Sequence, residues 1–207
     1  MFIAVSGNIG AGKSTLVHKL AQHYGGRAVL EAVADNPYLN DFYEDMTRWA
    51  FPLQIYFLNQ RFRQGLQVVD SQEAILLDRT IYEDAHIFAH NLHQLGHLSA
   101  RDYQNYWGIY ESMRDLLPPP QLIVYLRGSV PTLQRRIAQR RVQEGQPRRN
   151  EDKIPAAYLA QLNRHYDDWI RDTTIAPVVT VNIDNIDLAE PAAFYDLVAQ
   201  VDRRLDL

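Results

Sequence analysis

A chain of 207 residues with 46% hydrophobic and 22% charged side chains falls in the range of one soluble globular domain built on a single core. The absence of cysteine excludes disulfides, thiolate catalysis and Cys-ligated zinc, and 21 basic against 25 acidic residues argue against a broad nucleic-acid-binding surface. The longest apolar runs, such as Leu122-Ile123-Val124-Tyr125-Leu126, fall far below the roughly 20 residues of a membrane span. Met1 leads straight into strand-like residues without a basic and apolar leader, so a cytoplasmic protein is expected.

In chain order, residues 2–6 read as a buried strand. After a glycine-rich turn, Leu16, Leu20 and Tyr24 fall at helical spacing, with Gly25-Gly26 as the stop. Residues 27–31 form the second predicted strand, residues 37–69 a long helical region rich in aromatics, and residues 74–78 a third strand. Helical patterns resume over 82–117 until Pro118-Pro119-Pro120 ends them. A fourth strand over 122–126, helices over 131–143 and 155–172, a fifth strand over 178–183 and a terminal helix complete the chain. Strands alternating with helices predict an α/β fold with a five-stranded parallel sheet flanked by helices on both faces. Such sheets bind ligands at the carboxyl ends of their strands, so the Ser6-Gly7 turn, Glu31 and Asp78-Arg79 are expected to converge on one crevice.

Gly7-Asn8-Ile9-Gly10-Ala11-Gly12-Lys13-Ser14 matches G-x-x-x-x-G-K-[ST] between a predicted strand and a predicted helix, as a phosphate loop requires. Glycine lets the backbone bend closely around phosphate oxygens, while successive amides and the helix N-terminus supply an anion-binding concavity. Lys13 is placed to reach the outer phosphates, and the Ser14 hydroxyl suits Mg²⁺. No guanine-reading N-K-x-D occurs, because Asn150-Glu151-Asp152-Lys153 has the wrong order, so ATP is the expected donor.

At Glu31, Tyr43, Gln54, Arg61 and the run Asp78-Arg79-Thr80-Ile81-Tyr82-Glu83-Asp84, the sequence resembles the deoxynucleoside kinase family. The likeness extends through Thr15, Asn36-Pro37-Tyr38-Leu39, the run from Trp49 to Leu58 and the arginines of 135–149, and it points to the bacterial deoxyadenosine/deoxyguanosine/deoxycytidine kinases. A carboxylate such as Glu31, ending the second strand, can face the phosphate loop and accept a proton from an attacking hydroxyl. The resemblance implies that role on a nucleoside 5′-hydroxyl. Asp78 closes a hydrophobic strand, a placement suited to holding Mg²⁺ beside Ser14, and the Arg79 fork fits phosphate oxygens and the reacting 5′-oxygen.

The resemblance also implies an acceptor site. Gln54 and Arg61 stand seven residues apart on one helical face, Arg61 pairs with Asp84 to present a charge-assisted edge to an amino- or oxo-substituted base, and Phe88, four residues after Asp84, stacks on the base. Tyr43 looks like the family tyrosine at the sugar 3′-hydroxyl, and Glu151, with Asp152 as an adjacent candidate, like its carboxylate partner. Phe51, Tyr56, Phe57 and Trp49 are assigned to packing.

Seven arginines crowd between Arg127 and Arg149 ahead of the family carboxylate, and Glu144-Gly145-Gln146-Pro147 reads as a flexible break suited to a lid over about 136–151. In the family, lid arginines clamp the transferring phosphoryl group, and Arg136 and Arg140 match best, though extra residues between Arg141 and Arg149 blur the register. His86, His90, His93 and His97 recur at helical spacing, but without an H-E-x-x-H pattern they are read as residues of a tolerant surface helix.

The resulting expectation is one phosphate-loop kinase domain over residues 1–207, active in nucleotide salvage: ATP- and Mg²⁺-dependent phosphorylation of a deoxynucleoside, deoxyadenosine first and deoxyguanosine or deoxycytidine next. A homodimer through the helices of 38–69 and 82–117 is a family expectation, with no nucleic-acid or membrane partner. The alternatives are a thymidylate-type monophosphate kinase and a non-catalytic ATP-binding switch.

Overall fold

The computed structural model describes residues 1–30, 36–69, 71–143 and 154–207, with residues 140–143 described by their backbone alone. Five parallel strands form one sheet in the order β2-β3-β1-β4-β5: β1 (Phe2–Gly7), β2 (Arg27–Val29), β3 (Ile75–Asp78), β4 (Leu122–Arg127) and β5 (Val178–Asn182). The burial of each strand follows its place in that order. Central β1 and β3 are buried at every residue, as a strand covered on both faces must be, whereas edge strand β5 alternates along its length. The chain leaves β1 towards the β2 side and leaves β3 towards β4 on the other side of β1, which opens a crevice at the carboxyl ends of β1 and β3.

Helices α1 (Lys13–His23), α2 (Leu39–Glu44), α3 (Met46–Val69), α4 (Ile81–Glu83), a π-helix (Asp84–Ala89), α5 (His90–Gln94), α6 (Ala100–Arg114), α7 (Val130–Gln143), α8 (Ala156–Asp172) and α9 (Pro191–Leu205) pack around the sheet. Gly25, at φ 62, ends the α1 segment where the glycine pair predicted it.

Three boundaries differ from the sequence reading. The second strand stops at Val29, because the Leu30 carbonyl leaves the sheet to accept from Gln64 Nε2 at 2.7 Å. The helical region 37–69 is two helices: Asp45 breaks it at φ −143 and ψ 85, and its Oδ1 accepts from the Arg48 backbone N–H at 3.0 Å, capping the next helix. The region 82–117 is divided at Gly96, at φ 77, before Ser99 accepts from the Asp102 amide and starts α6. The histidine face also lies elsewhere than on an open surface. His86, His90, His93 and His97 are half-buried, His86 against Trp107 and Tyr110, His93 stacked on Tyr103 at 4.4 Å between ring centroids. Burial lowers the pKa of His86 and His90, keeping these imidazoles neutral within an aromatic seam.

Candidate active site

The crevice holds a cavity of about 840 Å³, a volume suited to small-molecule ligands. The phosphate loop forms its floor. Gly7 has φ 148, and a Cβ there would stand 2.8 Å from the Leu126 carbonyl oxygen, so glycine alone lets β1 turn this tightly beside β4. Gly12, at φ 91, turns the chain into α1 and aims the first amides of that helix at the loop. Lys13 is buried and its Nζ donates to the Asn8 carbonyl at 3.1 Å, closing the loop on itself.

β1 and β3 deliver the reactive ends. The Ser14 hydroxyl donates to Asp78 Oδ2, while Asp78 Oδ1, buried with its residue, has no hydrogen-bond partner among the described residues. This hydroxyl–carboxylate pair with an orphaned oxygen is a hard-oxygen donor set of the kind Mg²⁺ takes. Arg79 follows at φ 69, a left-handed backbone that a non-glycine residue rarely holds. Its amide donates to the Val5 carbonyl at 3.1 Å, and the turn sends its side chain back over the sheet, where Nη2 donates to the Gly7 carbonyl at 3.4 Å and the guanidinium lies 4.3 Å above the Phe88 ring.

α2, α3 and the π-helix supply a second wall. Tyr43, Gln54, Asp84 and Phe88 all line the cavity, with Leu39, Phe42, Leu53 and Phe57 between them. Gln54 is 3% exposed and its Oε1 has no hydrogen-bond partner among the described residues. Arg61 stands one layer behind, outside the cavity lining. Its Nε is 3.5 Å from Asp84 Oδ2, and its Nη1 donates to Gln64 Oε1 at 3.0 Å and to the Asp78 carbonyl at 3.2 Å. Arg61 therefore meets the cavity through Asp84, the carboxylate it pairs with.

Of the predicted residues, Ile9, Gly10, Ala11, Gly12, Lys13, Ser14, Thr15, Tyr43, Gln54, Asp78, Arg79, Asp84, Phe88 and Arg136 line the cavity. Gly7 and Asn8 support the loop from beneath: Asn8 Nδ2 donates to the Leu159 carbonyl at 2.9 Å and to Asn163 Oδ1 at 2.7 Å. Glu31, Glu151, Asp152 and the side chain of Arg140 lie outside the described residues. Arg136 donates from Nη1 to the Ala11 carbonyl at 3.1 Å, so its guanidinium braces the phosphate loop itself.

Phe57, assigned to packing, packs against the core and lines the cavity as well. Arg135, of the arginine-rich run, lines the cavity too, as do Tyr158 and the loop from Ile183 to Ala189, to which the sequence reading assigned no role. The last was within reach, because it follows β5 and the strand-end rule applied to strands one to three covers strand five equally. Tyr158 had no local signal. Glu83, within the 78–84 run, is fully buried beside Arg79; desolvation raises its carboxyl pKa to about 7, against the lowering influence of Arg79, Lys13, the Ser6 hydrogen bond and Arg61.

A parallel sheet in this order, with a phosphate loop after its central strand and a carboxylate–arginine pair after the neighbouring one, defines a phosphate-loop kinase. The family model described as deoxynucleoside kinase matches residues 3–206, and the chain belongs to that family. It is thus a deoxynucleoside kinase, a phosphotransferase. The deoxyadenosine/deoxycytidine kinase of Bacillus subtilis (strain 168) is 37% identical over 188 residues, covering 90% of this chain and 84% of the relative. The deoxyguanosine kinase of the same organism is 35% identical over 203 residues, covering 96% and 94%. Among solved structures, deoxyadenosine kinase from M. mycoides with bound dATP superimposes with a TM-score of 0.82 at 29% identity, covering 98% of this chain and 100% of that one. These findings favour neither the thymidylate-type kinase nor the switch.

Proposed function

We propose that this kinase transfers the γ-phosphoryl group of ATP to the 5′-hydroxyl of a deoxynucleoside, with deoxyadenosine preferred and deoxyguanosine or deoxycytidine next. The observation that carries the base reading is Asp84, a cavity-lining carboxylate with Arg61 3.5 Å behind it, beside the cavity-lining Gln54 Oε1. Two such oxygens accept from the exocyclic amine of adenine, cytosine or guanine, and thymine has no such amine. Relatives named for deoxyadenosine support the first place given to that base. Phe88 offers an aromatic face beside it, and Tyr43 with Glu151 would hold the sugar 3′-hydroxyl.

In the proposed chemistry Glu31 takes the 5′-hydroxyl proton, and Lys13 and Arg79 stabilise the charge on the transferring group, with Arg140 as a lid contribution. Arg136 positions the loop that binds the donor phosphates. Ser14 and Asp78 would hold Mg²⁺, which when bound neutralises donor phosphate charge. The loop from Ile183 to Ala189, with Arg135 beside it, lines the part of the cavity next to the phosphate loop and suits the donor nucleoside. The exposed Leu66, Val69, Ile109 and Leu116, on or next to α3 and α6, support a homodimer through those helices.

ADP release from ATP and Mg²⁺ with deoxyadenosine, deoxyguanosine, deoxycytidine, thymidine or thymidine monophosphate as acceptor tests the reading. Turnover is expected to be highest with deoxyadenosine and lowest with the two thymine compounds, and Glu31→Gln should lower kcat by at least about 100-fold. Release with thymidine equal to that with deoxyadenosine would overturn the base assignment, and a Glu31→Gln enzyme with full kcat would remove Glu31 from its role.

A further inference from the structure

Glu83 has no part in the chemistry above, yet it is a carboxylate with no solvent exposure beneath the reacting end of the sheet. Its surroundings are built around it. Oε2 accepts from the Ser6 hydroxyl at 2.9 Å, Oε1 accepts from the Tyr166 hydroxyl at 3.4 Å, and Arg79 Nε stands 3.8 Å from that same Oε1. Ser6 comes from β1, Tyr166 from α8 and Arg79 from the turn after β3, so one carboxylate joins three elements beside the cavity-lining Arg79. Taking a carboxylate out of water is costly unless its charge is used, and packing alone is met as well by a neutral side chain.

Arg79 needs such a hold. Its side chain has several rotatable bonds and leaves a strained backbone at φ 69, and an unrestrained guanidinium would lose the orientation that phosphate recognition requires. Phe88 supports one face of the guanidinium and the Gly7 carbonyl receives Nη2. Neither supplies negative charge; Glu83, 3.8 Å from Arg79 Nε, does so among the described residues.

We infer that Glu83 is a positioning residue for phosphoryl transfer, its carboxylate holding the Arg79 guanidinium over the phosphate loop while Ser6 and Tyr166 hold the carboxylate. The inference rests on the proposed role of Arg79. Glu83→Gln keeps the shape and a hydrogen-bonding oxygen but removes the charge. Assayed at pH 8, above the value of about 7 to which burial raises this carboxyl, the variant is expected to lower kcat on the order of 10- to 100-fold with little change in KM for the deoxynucleoside, because the lost geometry matters at the transferring group.

A double-mutant cycle with Arg79→Gln, read as kcat and melting temperature, separates the cases. If Glu83 acts through Arg79, the double variant loses no more kcat than Arg79→Gln alone and Glu83→Gln does not lower the melting temperature. Losses that multiply, or a Glu83→Gln enzyme with full kcat beside an impaired Arg79→Gln, would overturn the positioning role and leave Arg79 in place. Full kcat in Arg79→Gln would overturn the Arg79 reading, and this inference with it. Ser6→Ala and Tyr166→Phe test the same brace should Glu83→Gln fail to fold. Each should cost several-fold in kcat, and full kcat in both would refute the brace.

Discussion

At the residue scale, the site depends on charges removed from water and held by neighbours. Glu83 gives this a measurable sign. Its carboxyl, ordinarily near 4.5, is raised to about 7 in the fold, chiefly by desolvation, with Arg79, Lys13 and Arg61 lowering it from the surrounding elements. Between those values the folded chain holds a proton that the unfolded chain has released, so the stability Glu83 contributes is full below 4.5 and is lost as pH rises through about 7. Thermal unfolding across pH 4 to 9 should therefore show Glu83→Gln gaining on the native chain over that window. Two curves that stay parallel would show that Glu83 does not titrate there. Residue types in sequence revealed Lys13, Ser14, Asp78 and Arg79, because a strand-end phosphate site needs those groups. They revealed nothing of the Glu83 brace, since its donors come from residues 77 and 83 positions away in the chain.

At the element scale, short polar residues decide where helices begin and end. Asp45 and Ser99 both cap helices by accepting backbone N–H groups, and each divides a region whose apolar spacing alone reads as continuous. α6 packs on α3 and on the π-helix that carries Asp84 and Phe88, so its start matters for stability more than for chemistry. Ser99→Ala should cost about 1 kcal/mol, a fall of roughly 2–4 °C in melting temperature, with kcat unchanged. A matching loss of activity would tie α6 to the chemistry more directly than its absence from the cavity lining implies. The π-helix that carries Asp84 and Phe88 had no signal in the apolar spacing, which reads the region as ordinary helix.

At the scale of the whole molecule, exposed apolar side chains on or beside α3 and α6 lead to the expectation of a homodimer. Light scattering should give twice the chain mass, and a monomer mass across the working concentration range would dismiss it. The sequence by itself determined the parallel α/β architecture, because alternating apolar strands and amphipathic helices leave few ways to bury their faces, and it determined the phosphate loop, because its glycines and lysine are contiguous. Family likeness added Tyr43, Gln54, Asp84 and Phe88 as proposed acceptor residues, and the fold brings all four to one cavity. Only the tertiary structure decided that Arg61 works from behind Asp84, that Arg136 braces the loop, that Tyr158 and the Ile183 to Ala189 loop line the crevice, and that Glu83 lies beside Arg79. Contacts between distant segments are fixed by the order in which strands join the sheet, and that order, β2-β3-β1-β4-β5, is written in no local stretch of sequence.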